Sequence, residues 1–321
     1  MTVLERAMSG KLDPEELEEL LEDLLAGRMQ PDLGAHLLGA LHSRPVTPDI
    51  LVAGANVLRR HSLTIRIPRN RKLIDTSGTG GDGANTVNLS TAAAILVAAC
   101  DGTVAKQAFA SADKTCGSLD VLAALGIPVD LSPAGVTAAL DRTGFAVLRT
   151  SRFLPARDRL TAMIPPGGAR ALFRLWTPLA NPATPERQLV GVYDPRFTEP
   201  MARALGKLGV EQALVVHCGG LCEMGLHADT VGHSWKNGRV KRFHHPSAGI
   251  PLSEIAGGTP AENAARLERM FQKEKGPLAE AVALNAGAAL WIGGVMPSFN
   301  DGWRWAKDRL AQGIDLDEYR A

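Results

Sequence analysis

The chain has 321 residues, of which 45% are hydrophobic and 21% are charged, and its formal net charge at pH 7 is +1. This balance gives no global field that favours nucleic acid or membranes, no apolar run reaches the ~18 residues that span a bilayer, and four cysteines do not make a disulfide scaffold. With a charged helix former at the start in place of a signal peptide, these features predict a cytoplasmic, enzyme-sized globular protein.

The N-terminal part of the chain carries helix signals and no strand signals. Asp13 can cap a helix that begins at Pro14 and has Glu16 at the capping-box position, and Thr47-Pro48 repeats the cap-plus-proline pattern. Leucines recur on one helical face at Leu17, Leu20, Leu21 and Leu24. We therefore expect a helical domain over residues 1–65.

From residue 73 onward, helix and strand patterns alternate. Strand patterns lie at residues 102–108, 144–148 and 213–218, and helix patterns lie at 89–100, 118–126, 201–209 and in two alanine-rich segments near the end. Such alternation predicts an α/β domain over residues 73–321, with a mostly parallel central sheet covered by helices. A later helical contribution to the first domain is expected around residues 165–185, with a cleft between the two domains.

A glycine-rich loop is the most specific local motif. Residues 78–83 read GTGGDG, and their glycines are Gly78, Gly80, Gly81 and Gly83. Glycines allow positive φ and a close approach of the backbone to an anion. A helix that begins near Ser90 adds exposed N–H groups, Asn88 and Thr91 add hydrogen-bond donors, and Lys106 can add a positive charge. The pattern indicates a phosphate site.

Two other interpretations of this loop stay open. Gly78, Gly80 and Gly83 match G-x-G-x-x-G, and Asp101 lies at the distance of a ribose-binding acid, as in dinucleotide folds. However, residues 73–77, LIDTS, are a poor pattern for a buried strand, and the helix starts several residues after the last glycine. A turn without a ligand is the third interpretation, although it does not require four glycines, an NLST run and a lysine.

Taken together, these motifs resemble a known family. DTSGTGGDG, NLSTAAA, AKQ and GSLDVLAALG are similar to segments of the anthranilate phosphoribosyltransferases, relatives of the pyrimidine and thymidine nucleoside phosphorylases. The similarity continues through residues 172–183, 189–193, 213–220, 257–264 and 280–290. It implies a small helical domain, a large α/β domain, a cleft between them and a homodimer. It also implies transfer of phosphoribose from 5-phosphoribosyl-1-pyrophosphate (PRPP) with Mg²⁺.

The resemblance implies a set of PRPP-binding and metal-binding residues. PRPP would contact Gly78, Thr79, Gly80, Gly81, Asp82, Gly83, Asn88, Ser90, Thr91 and Lys106. Asp82 either places a carboxylate near the ribose or holds the loop as a turn residue. Ser90 and Glu223 are the expected metal ligands, and Cys222 stands where the family has the Asp of an Asp-Glu pair. Because Mg²⁺ prefers hard oxygen ligands, we expect one metal site to be weakened or lost.

The chain departs from the family pattern on the acceptor side. Where the family has Lys-His-Gly-Asn-Arg, this chain has Lys106, Gln107, Ala108, Phe109 and Ala110, while Leu154, Ile164 and Arg174 replace a histidine, an arginine and an asparagine. In the family that arginine grips the carboxylate of anthranilate, and isoleucine offers nothing to an anion. We therefore expect a small aromatic amine or heterocycle other than anthranilate. Phe109 either stacks on a flat ring or fills the pocket, and Arg157 or Arg174 can supply a relocated charge.

Three other functions stay open from the sequence. Non-catalytic binding of nucleic acid or of a phosphorylated ligand is suggested by the basic segment 59–72, with Arg59, Arg60, Arg66, Arg69, Arg71 and Lys72. A nucleoside phosphorylase would use inorganic phosphate in the same loop. A true anthranilate phosphoribosyltransferase of tryptophan biosynthesis would bind its acceptor in a displaced position.

The cysteines raise one further possibility. His217, Cys218, Cys222, Glu223 and His227 suggest a soft-metal cluster. Adjacent residues at the end of a strand point to opposite faces, so His217 and Cys218 would not bind the same metal ion. Structural cysteines are therefore the preferred interpretation. Cys100 and Cys116 are expected to be small core residues.

Overall fold

A central sheet organises the molecule, for which a computed structural model describes residues 5, 6, 9, 11–43, 45–65, 67, 71–109, 115–163 and 171–320. Its strands are β1 (Leu73–Asp75), β2 (Thr103–Ala108), β3 (Phe145–Arg149), β4 (Arg187–Gly191), β5 (Gln212–Cys218), β6 (Thr230–Lys236) and β7 (Arg239–His245). In the described residues the strand order is β3-β2-β1-β4-β5-β6-β7, with the first five strands parallel and the last two antiparallel. The predicted α/β fold with a mostly parallel sheet is confirmed.

The short strand β1 corrects one expectation. The pattern of residues 73–77 argues against a buried strand, but Leu73, Ile74 and Asp75 form a fully buried strand in the middle of the sheet. Leu73 is paired with Thr103 on one side, and Asp75 with Gln188 on the other. Central parallel strands are covered on both faces, so a charged residue here needs partners that a local pattern cannot reveal.

The N-terminal helices follow their capping signals. They are α1 (Pro14–Leu25), α2 (Pro31–His42) and α3 (Pro48–Arg60). The Asp13 carboxylate accepts from the Glu15 amide, Glu16 closes the capping box, and Thr47 accepts from the Ile50 amide. The predicted leucine face is buried at Leu17, Leu21 and Leu24, with Leu20 half-buried.

The later helices cover the sheet on both faces. They are α4 (Leu89–Ala98), α5 (Ser118–Ala124), α6 (Pro133–Thr143), α7 (Thr150–Phe153), α8 (Pro155–Met163), α9 (Ala171–Leu179), α10 (Thr198–Lys207), α11 (Pro260–Phe271), α12 (Pro277–Gly293), α13 (Phe299–Gln312) and α14 (Asp317–Arg320). Thr259 and Glu262 form the expected capping box of α11. Over the described ranges, no helix is long and apolar enough to cross a membrane.

Alternate side chains of β5 separate two hydrophobic cores. Leu214 and Val216 belong to the core that contains α4 and α12, whereas Ala213 and Val215 belong to the core that contains the N-terminal helices, α9 and α10. Helix α3 packs against α9 and α10, and the Trp176 indole donates to the Ile50 carbonyl at 3.1 Å. The N-terminal helices therefore lie on one face of the sheet, together with α9 and α10.

Candidate active site at the ends of the parallel strands

A cleft opens where β1, β2 and β5 end, at the amino end of α4. Predicted residues that line it are Gly78, Gly80, Gly81, Asn88, Ser90, Thr91, Lys106, Gln107, Phe109, Arg174, Cys222 and Glu223. It is also lined by Cys116, which the sequence predicts only as a core residue, and by residues that the sequence analysis did not single out, namely Ser77, Thr86, Gly117 and Ser118. Ligands of open α/β sheets bind at this edge, outside the carboxyl ends of the strands. The structure therefore brings most of the predicted site into one cleft.

The glycine loop has the backbone that the sequence predicts. Gly80 has φ +59° and Gly81 has φ +76°, both in the left-handed region that favours glycine. Thr79 is buried and anchors the loop rather than lining the cleft. Its amide donates to the Gly191 carbonyl at 2.8 Å, and its hydroxyl accepts from the Tyr193 amide at 3.1 Å. The loop is thus tied to the end of β4.

Asp82 holds the loop in place. One carboxylate oxygen accepts from the Ala84 amide at 3.1 Å, and the other accepts from the Cys222 amide at 3.1 Å and from its thiol at 2.8 Å. Gly83 has φ +69°, and no heavy atom lies within 4 Å of the position that a Cβ would take there. Neither residue is among those that line the cleft. Of the two roles expected for Asp82, this geometry matches the structural one.

The amino end of α4 joins the loop to the segment after β5. The Ser90 amide donates to a Glu223 carboxylate oxygen at 2.9 Å, and Thr76 donates to the Ser90 carbonyl at 3.1 Å. Asn88 is engaged structurally, because its side chain contacts the Cys116 carbonyl and the Asn263 amide, both at 3.3 Å. Helix α4 therefore presents its positive end to the cleft, next to a fixed carboxylate.

Two buried side chains of opposite charge, Lys106 and Asp75, lie beneath the loop. Lys106 is 2% exposed, and its ammonium donates to the Thr76 carbonyl at 3.1 Å. Burial lowers the pKa of Lys106, against the opposing charges of Asp75 and Glu223. Burial likewise raises the pKa of Asp75, against the charge of Lys106 and the hydrogen bond from Ser77. Asp75 was missed by the sequence analysis, and its only signal was a carboxylate inside an apolar segment.

Three hydroxyl groups fix the end of β2. The Ser77 hydroxyl donates to Asp75 at 2.6 Å and lies 3.3 Å from the Gln107 carbonyl, and Thr150 donates to the Ala108 carbonyl at 3.0 Å. The Ser118 hydroxyl accepts from the Phe109 amide at 3.1 Å and lies 3.3 Å from its carbonyl. These contacts hold Gln107 and Phe109 at the wall of the cleft. The hydroxyls come from three separate elements, which a sequence motif cannot show.

The remaining acceptor-side residues lie in different places. Arg174 reaches the glycine loop, since a Cβ on Gly81 would lie 2.8 Å from its Nη1 atom. Leu154 is wholly buried in the core with the N-terminal helices and does not line the cleft. Arg157 pairs with Asp158 at 2.7 Å, away from the lining residues. Ile164 and Ala110 lie outside the described residues.

The metal-binding predictions concern the segment after β5. Ser90, Cys222 and Glu223 all line the cleft, and the Cys222 thiol is hydrogen-bonded to Asp82. His217 contacts the Val192 carbonyl through Nδ1, and Cys218 donates to the Ala228 carbonyl at 3.1 Å. Within the described part of the chain, no group of three or more His, Cys, Asp or Glu side chains is arranged to hold a metal ion. Cys100 and Cys116 are buried, as expected of core residues.

The basic segment is largely engaged in local contacts. The Arg59 guanidinium is buried, which lowers its pKa to about 10, and it donates to the Leu208 carbonyl. Arg60 pairs with Glu18 and Glu22, and Lys72 pairs with Glu211. Arg66 and Arg69 lie outside the described residues. Arg60 thus joins α3 to α1, whereas Arg59 and Lys72 contact residues just before β5, and these engagements weaken the nucleic-acid interpretation.

Comparison with known proteins shows the family. Residues 70–315 match the family model described as glycosyl transferase family, a/b domain. The anthranilate phosphoribosyltransferase of Thermus thermophilus is 38% identical over 318 residues, which cover 98% of this chain and 95% of that protein. The enzyme of the same name from Methanosarcina barkeri is 37% identical over 307 residues, covering 94% of this chain and 84% of that protein.

Solved structures agree with this similarity. The crystal structure of the Thermus thermophilus enzyme superposes with a TM-score of 0.86 at 36% identity, covering 98% of this chain and 95% of that one. The Saccharomyces cerevisiae anthranilate phosphoribosyltransferase, in complex with PRPP and Mg, has a TM-score of 0.79 at 20% identity, covering 96% and 92%, which shows the fold alone. Since the family model and the relatives span nearly the whole length, this chain belongs to the glycosyl transferase family that includes the anthranilate phosphoribosyltransferases, and it is a phosphoribosyltransferase.

Proposed function

We propose that this enzyme transfers phosphoribose from PRPP to a small aromatic amine or heterocycle other than anthranilate. The observation that carries the proposal is an intact glycine loop facing a wall built by Gln107 and Phe109. The donor side keeps the residue types that bind a phosphorylated sugar, whereas the acceptor side has lost the groups that would bind a carboxylate.

The donor side suits a phosphorylated sugar for electrostatic reasons. Backbone amides of Gly78, Gly80 and Gly81 and the amino end of α4 would offer donors to phosphate oxygens, and Lys106 places a positive charge at the floor of the cleft. Arg174 adds a guanidinium beside Gly81. Donors fixed before the reaction stabilise negative charge that grows on a leaving group. These residues would stabilise the departing pyrophosphate.

In the proposed reaction the acceptor nitrogen attacks the anomeric carbon. Its lone pair forms the new C–N bond, pyrophosphate leaves with the electron pair of the broken C–O bond, and one proton of the amine is released to solvent. The enzyme's contribution is positioning and electrostatic stabilisation. No side chain is assigned as a nucleophile.

The acceptor wall argues against a carboxylate substrate. Gln107 and Phe109 replace the family's histidine and asparagine, and neither carries a positive charge. Leaving a desolvated carboxylate unpaired would cost on the order of 3 kcal/mol or more. That is a large part of the affinity of a small ligand. A neutral or differently charged acceptor avoids this cost.

Mg²⁺ fits the protein side of this cleft only in part. Ser90 and Glu223 would hold the ion, and the Ser90 amide already orients the Glu223 carboxylate at 2.9 Å. The thiol of Cys222 is a poor ligand for a hard cation. Mg²⁺ commonly takes one or two protein carboxylates and completes its shell with substrate phosphates and water. When bound, the ion would neutralise charge on the pyrophosphate, and we propose that its protein site is weakened.

Calorimetry tests the donor half of the proposal directly. PRPP should bind saturably with Mg²⁺ present, and pyrophosphate release should then require an added aromatic amine. An absence of any response at millimolar PRPP would overturn the proposal. A nucleoside panel with inorganic phosphate tests the phosphorylase alternative in the same format.

The names of the relatives favour one alternative acceptor, anthranilate itself. Loss of anthranilate fluorescence in the presence of PRPP and Mg²⁺ would detect this reaction. Under the proposal the loss is slow or undetectable beside turnover with the preferred acceptor. Efficient consumption of anthranilate would replace the proposed acceptor with the relatives' substrate.

We also propose a helical domain at residues 1–65, supplemented around residues 165–185, an α/β domain at residues 73–321, and a homodimer. The contact between α3 and α9 supports the supplement. Light scattering during gel filtration would measure the mass in solution. A mass equal to one chain at micromolar concentration would overturn the dimer.

A further inference from the structure

We infer that the acceptor subsite binds a planar amine bearing a neutral amide edge, either a primary carboxamide or a ring lactam, and that Gln107 recognises this edge. The inference deepens the proposed function and rests on it, because the acceptor is placed beside bound PRPP. It concerns the chemical class of the acceptor and the residue that selects it.

The unusual feature is a buried amide without partners. Gln107 is 2% exposed and lines the cleft. Its Nε2 and Oε1 atoms are both buried, and neither has a hydrogen-bond partner in the part of the chain that the structure describes. Folded proteins satisfy the large majority of their buried polar side-chain atoms. The Gln107 amide leaves one donor and one acceptor without partners at the wall of the cleft. We take this as an indication of a ligand that offers an acceptor to Nε2 and a donor to Oε1.

The position of Gln107 is fixed by its surroundings. The Ser77 hydroxyl lies 3.3 Å from its carbonyl, and Thr150 and Ser118 hold the next two residues of the chain. The backbone at the end of β2 is thus engaged, while the Gln107 side chain is not. This arrangement fixes the backbone that carries the amide beside the cleft before any ligand binds, which reduces the entropic cost of binding.

The chemistry of an amide selects against an anion. Glutamine offers one oxygen acceptor and an NH₂ donor, so a carboxamide or lactam can pair with it through two hydrogen bonds. A carboxylate has only acceptors, so one of its oxygens would face Oε1 and its charge would lack a counterion at this wall. Phe109, which lines the same cleft, adds an apolar face for a planar ring.

Arg174, a cation that lines the same cleft, is directed to its other half. A Cβ on Gly81 would lie 2.8 Å from Arg174 Nη1, and one on Gly80 would lie 3.9 Å from both Arg174 Nη1 and Phe109 Cζ. Arg174 therefore lies against the phosphate loop, where the PRPP phosphates would engage it. Phe109 borders that loop from the acceptor side, so a ring on Phe109 would lie next to the donor.

Two aromatic amines that differ only in a carboxamide or a carboxylate group provide the test. 2-Aminobenzamide carries a neutral carboxamide where 2-aminobenzoate carries a carboxylate, on the same aromatic amine. Calorimetry would first titrate PRPP with Mg²⁺ and then titrate each compound into the PRPP-saturated enzyme. We expect the amide to bind at least about tenfold more tightly, since one unpaired buried polar group typically costs that much.

Variants of Gln107 connect this preference to the side chain. Q107M removes the amide at similar volume and should reduce the preference for 2-aminobenzamide over 2-aminobenzoate to about twofold or less. The affinity for PRPP should stay near that of the wild type. Q107M should also raise the thermal midpoint of the ligand-free enzyme, because it removes a buried amide that lacks partners. The matched control is Q212M at the start of β5, where Gln212 is 4% exposed and accepts from Arg187 at 3.2 Å. Q212M should lower the midpoint and leave the preference intact.

The outcomes separate the two proposals. Absence of PRPP binding removes the proposed function, and this inference with it. Normal PRPP binding with equal or tighter binding of the acid overturns the inference alone, as does an amide preference that Q107M leaves unchanged. A lower thermal midpoint for Q107M would show that the amide already has partners in the free enzyme and would also overturn it.

Discussion

The thiol of Cys222 donates a hydrogen bond to the Asp82 carboxylate at 2.8 Å, and the Cys222 amide donates to the same oxygen at 3.1 Å. This pair joins the glycine loop after β1 to the segment after β5. It also explains how the loop tolerates cysteine where the family pattern has an aspartate. A neutral donor lets the two segments close on each other, whereas a second carboxylate would repel Asp82.

We predict that Cys222→Asp destabilises the free enzyme and makes its stability depend on Mg²⁺. Two unit charges 4 Å apart repel by about 4 kcal/mol at an effective dielectric constant of 20. We therefore expect a loss of roughly 2–4 kcal/mol in unfolding free energy without metal, partly recovered in millimolar Mg²⁺. Urea unfolding with and without Mg²⁺ measures both effects.

Cys222→Ser is the matched control for this prediction. Serine keeps a donor at the same position, so its unfolding free energy should stay within about 1 kcal/mol of the wild type and should not respond to Mg²⁺. The explanation fails if the aspartate variant is as stable as the wild type in a metal-free buffer.

The second prediction concerns Lys106 and Asp75, two buried side chains whose opposite charges interact without a direct salt bridge in the described structure. Lys106→Met leaves an unpaired charge in the core and should cost about 3–5 kcal/mol in unfolding free energy. The exposed pair of Lys72 and Glu211, with side chains 49% and 45% exposed, serves as the comparison. Lys72→Met should cost about 0–1 kcal/mol. Chemical denaturation of both variants gives the contrast.

A double variant makes this test sharper. Lys106→Met combined with Asp75→Asn removes both charges, so it should be more stable than Lys106→Met alone. The double-mutant cycle should give a coupling energy of about 1–3 kcal/mol, as expected for residues that interact directly. Additive effects would show that the two charges do not stabilise each other.

The parts of the site that were predictable are local in sequence. One short segment contains the glycine loop, the start of α4 and Lys106. The residue types in this segment are enough to indicate a phosphate site. Asp75 was not predictable in the same way, because its burial depends on Gln188 and Lys106, which come from other strands. A contact between distant residues leaves no local pattern in a single sequence.

The antiparallel end of the sheet was missed for a different reason. Strands β6 and β7 are mostly exposed or half-buried, so they lack the alternation of apolar and polar residues that indicates a strand. A usable signal was present in the turn between them. Asn237 and Gly238 both have positive φ, at 51° and 76°, and Asn-Gly is the strongest short hairpin signal. Alignment without structure also placed Leu154 at the acceptor wall, whereas the fold buries it in the core.

The third prediction separates backbone strain from ligand binding at Gly81. Gly81 and Gly238 have the same φ of +76°, but a Cβ at Gly81 would lie 2.8 Å from Arg174 Nη1, whereas one at Gly238 meets nothing within 4 Å. Alanine at either position should cost about 1–2 kcal/mol in unfolding free energy. Only Gly81→Ala should also displace Arg174 and weaken PRPP binding, by about tenfold or more in calorimetry. Equal PRPP affinity in the two variants would contradict the assignment of this loop.

The fourth prediction is a fall in stability at alkaline pH that depends partly on Cys100. Burial raises the pKa of the Cys100 thiol from 9.0 to about 12, against the opposing charge of Arg309, and burial also raises the pKa of Tyr319 from 10.0 to about 12. Between pH 9 and 12 the unfolded chain loses the Cys100 proton while the folded chain keeps it. The stability contributed by this group is therefore fully present below pH 9 and decreases as the pH rises toward 12. The limiting slope is about 1.4 kcal/mol per pH unit for each group.

Cys100→Ala isolates the contribution of the thiol to this slope. Between about pH 9 and 9.5 Tyr319 is still mostly protonated in both states, so the variant should lose stability less steeply than the wild type. At neutral pH the thiol is protonated in both states, and the difference between the two proteins there measures only the packing change. Urea unfolding in half-unit steps from about pH 7 to 10 gives both quantities. Parallel curves across this range would mean that Cys100 ionises in the folded protein as readily as in the unfolded chain.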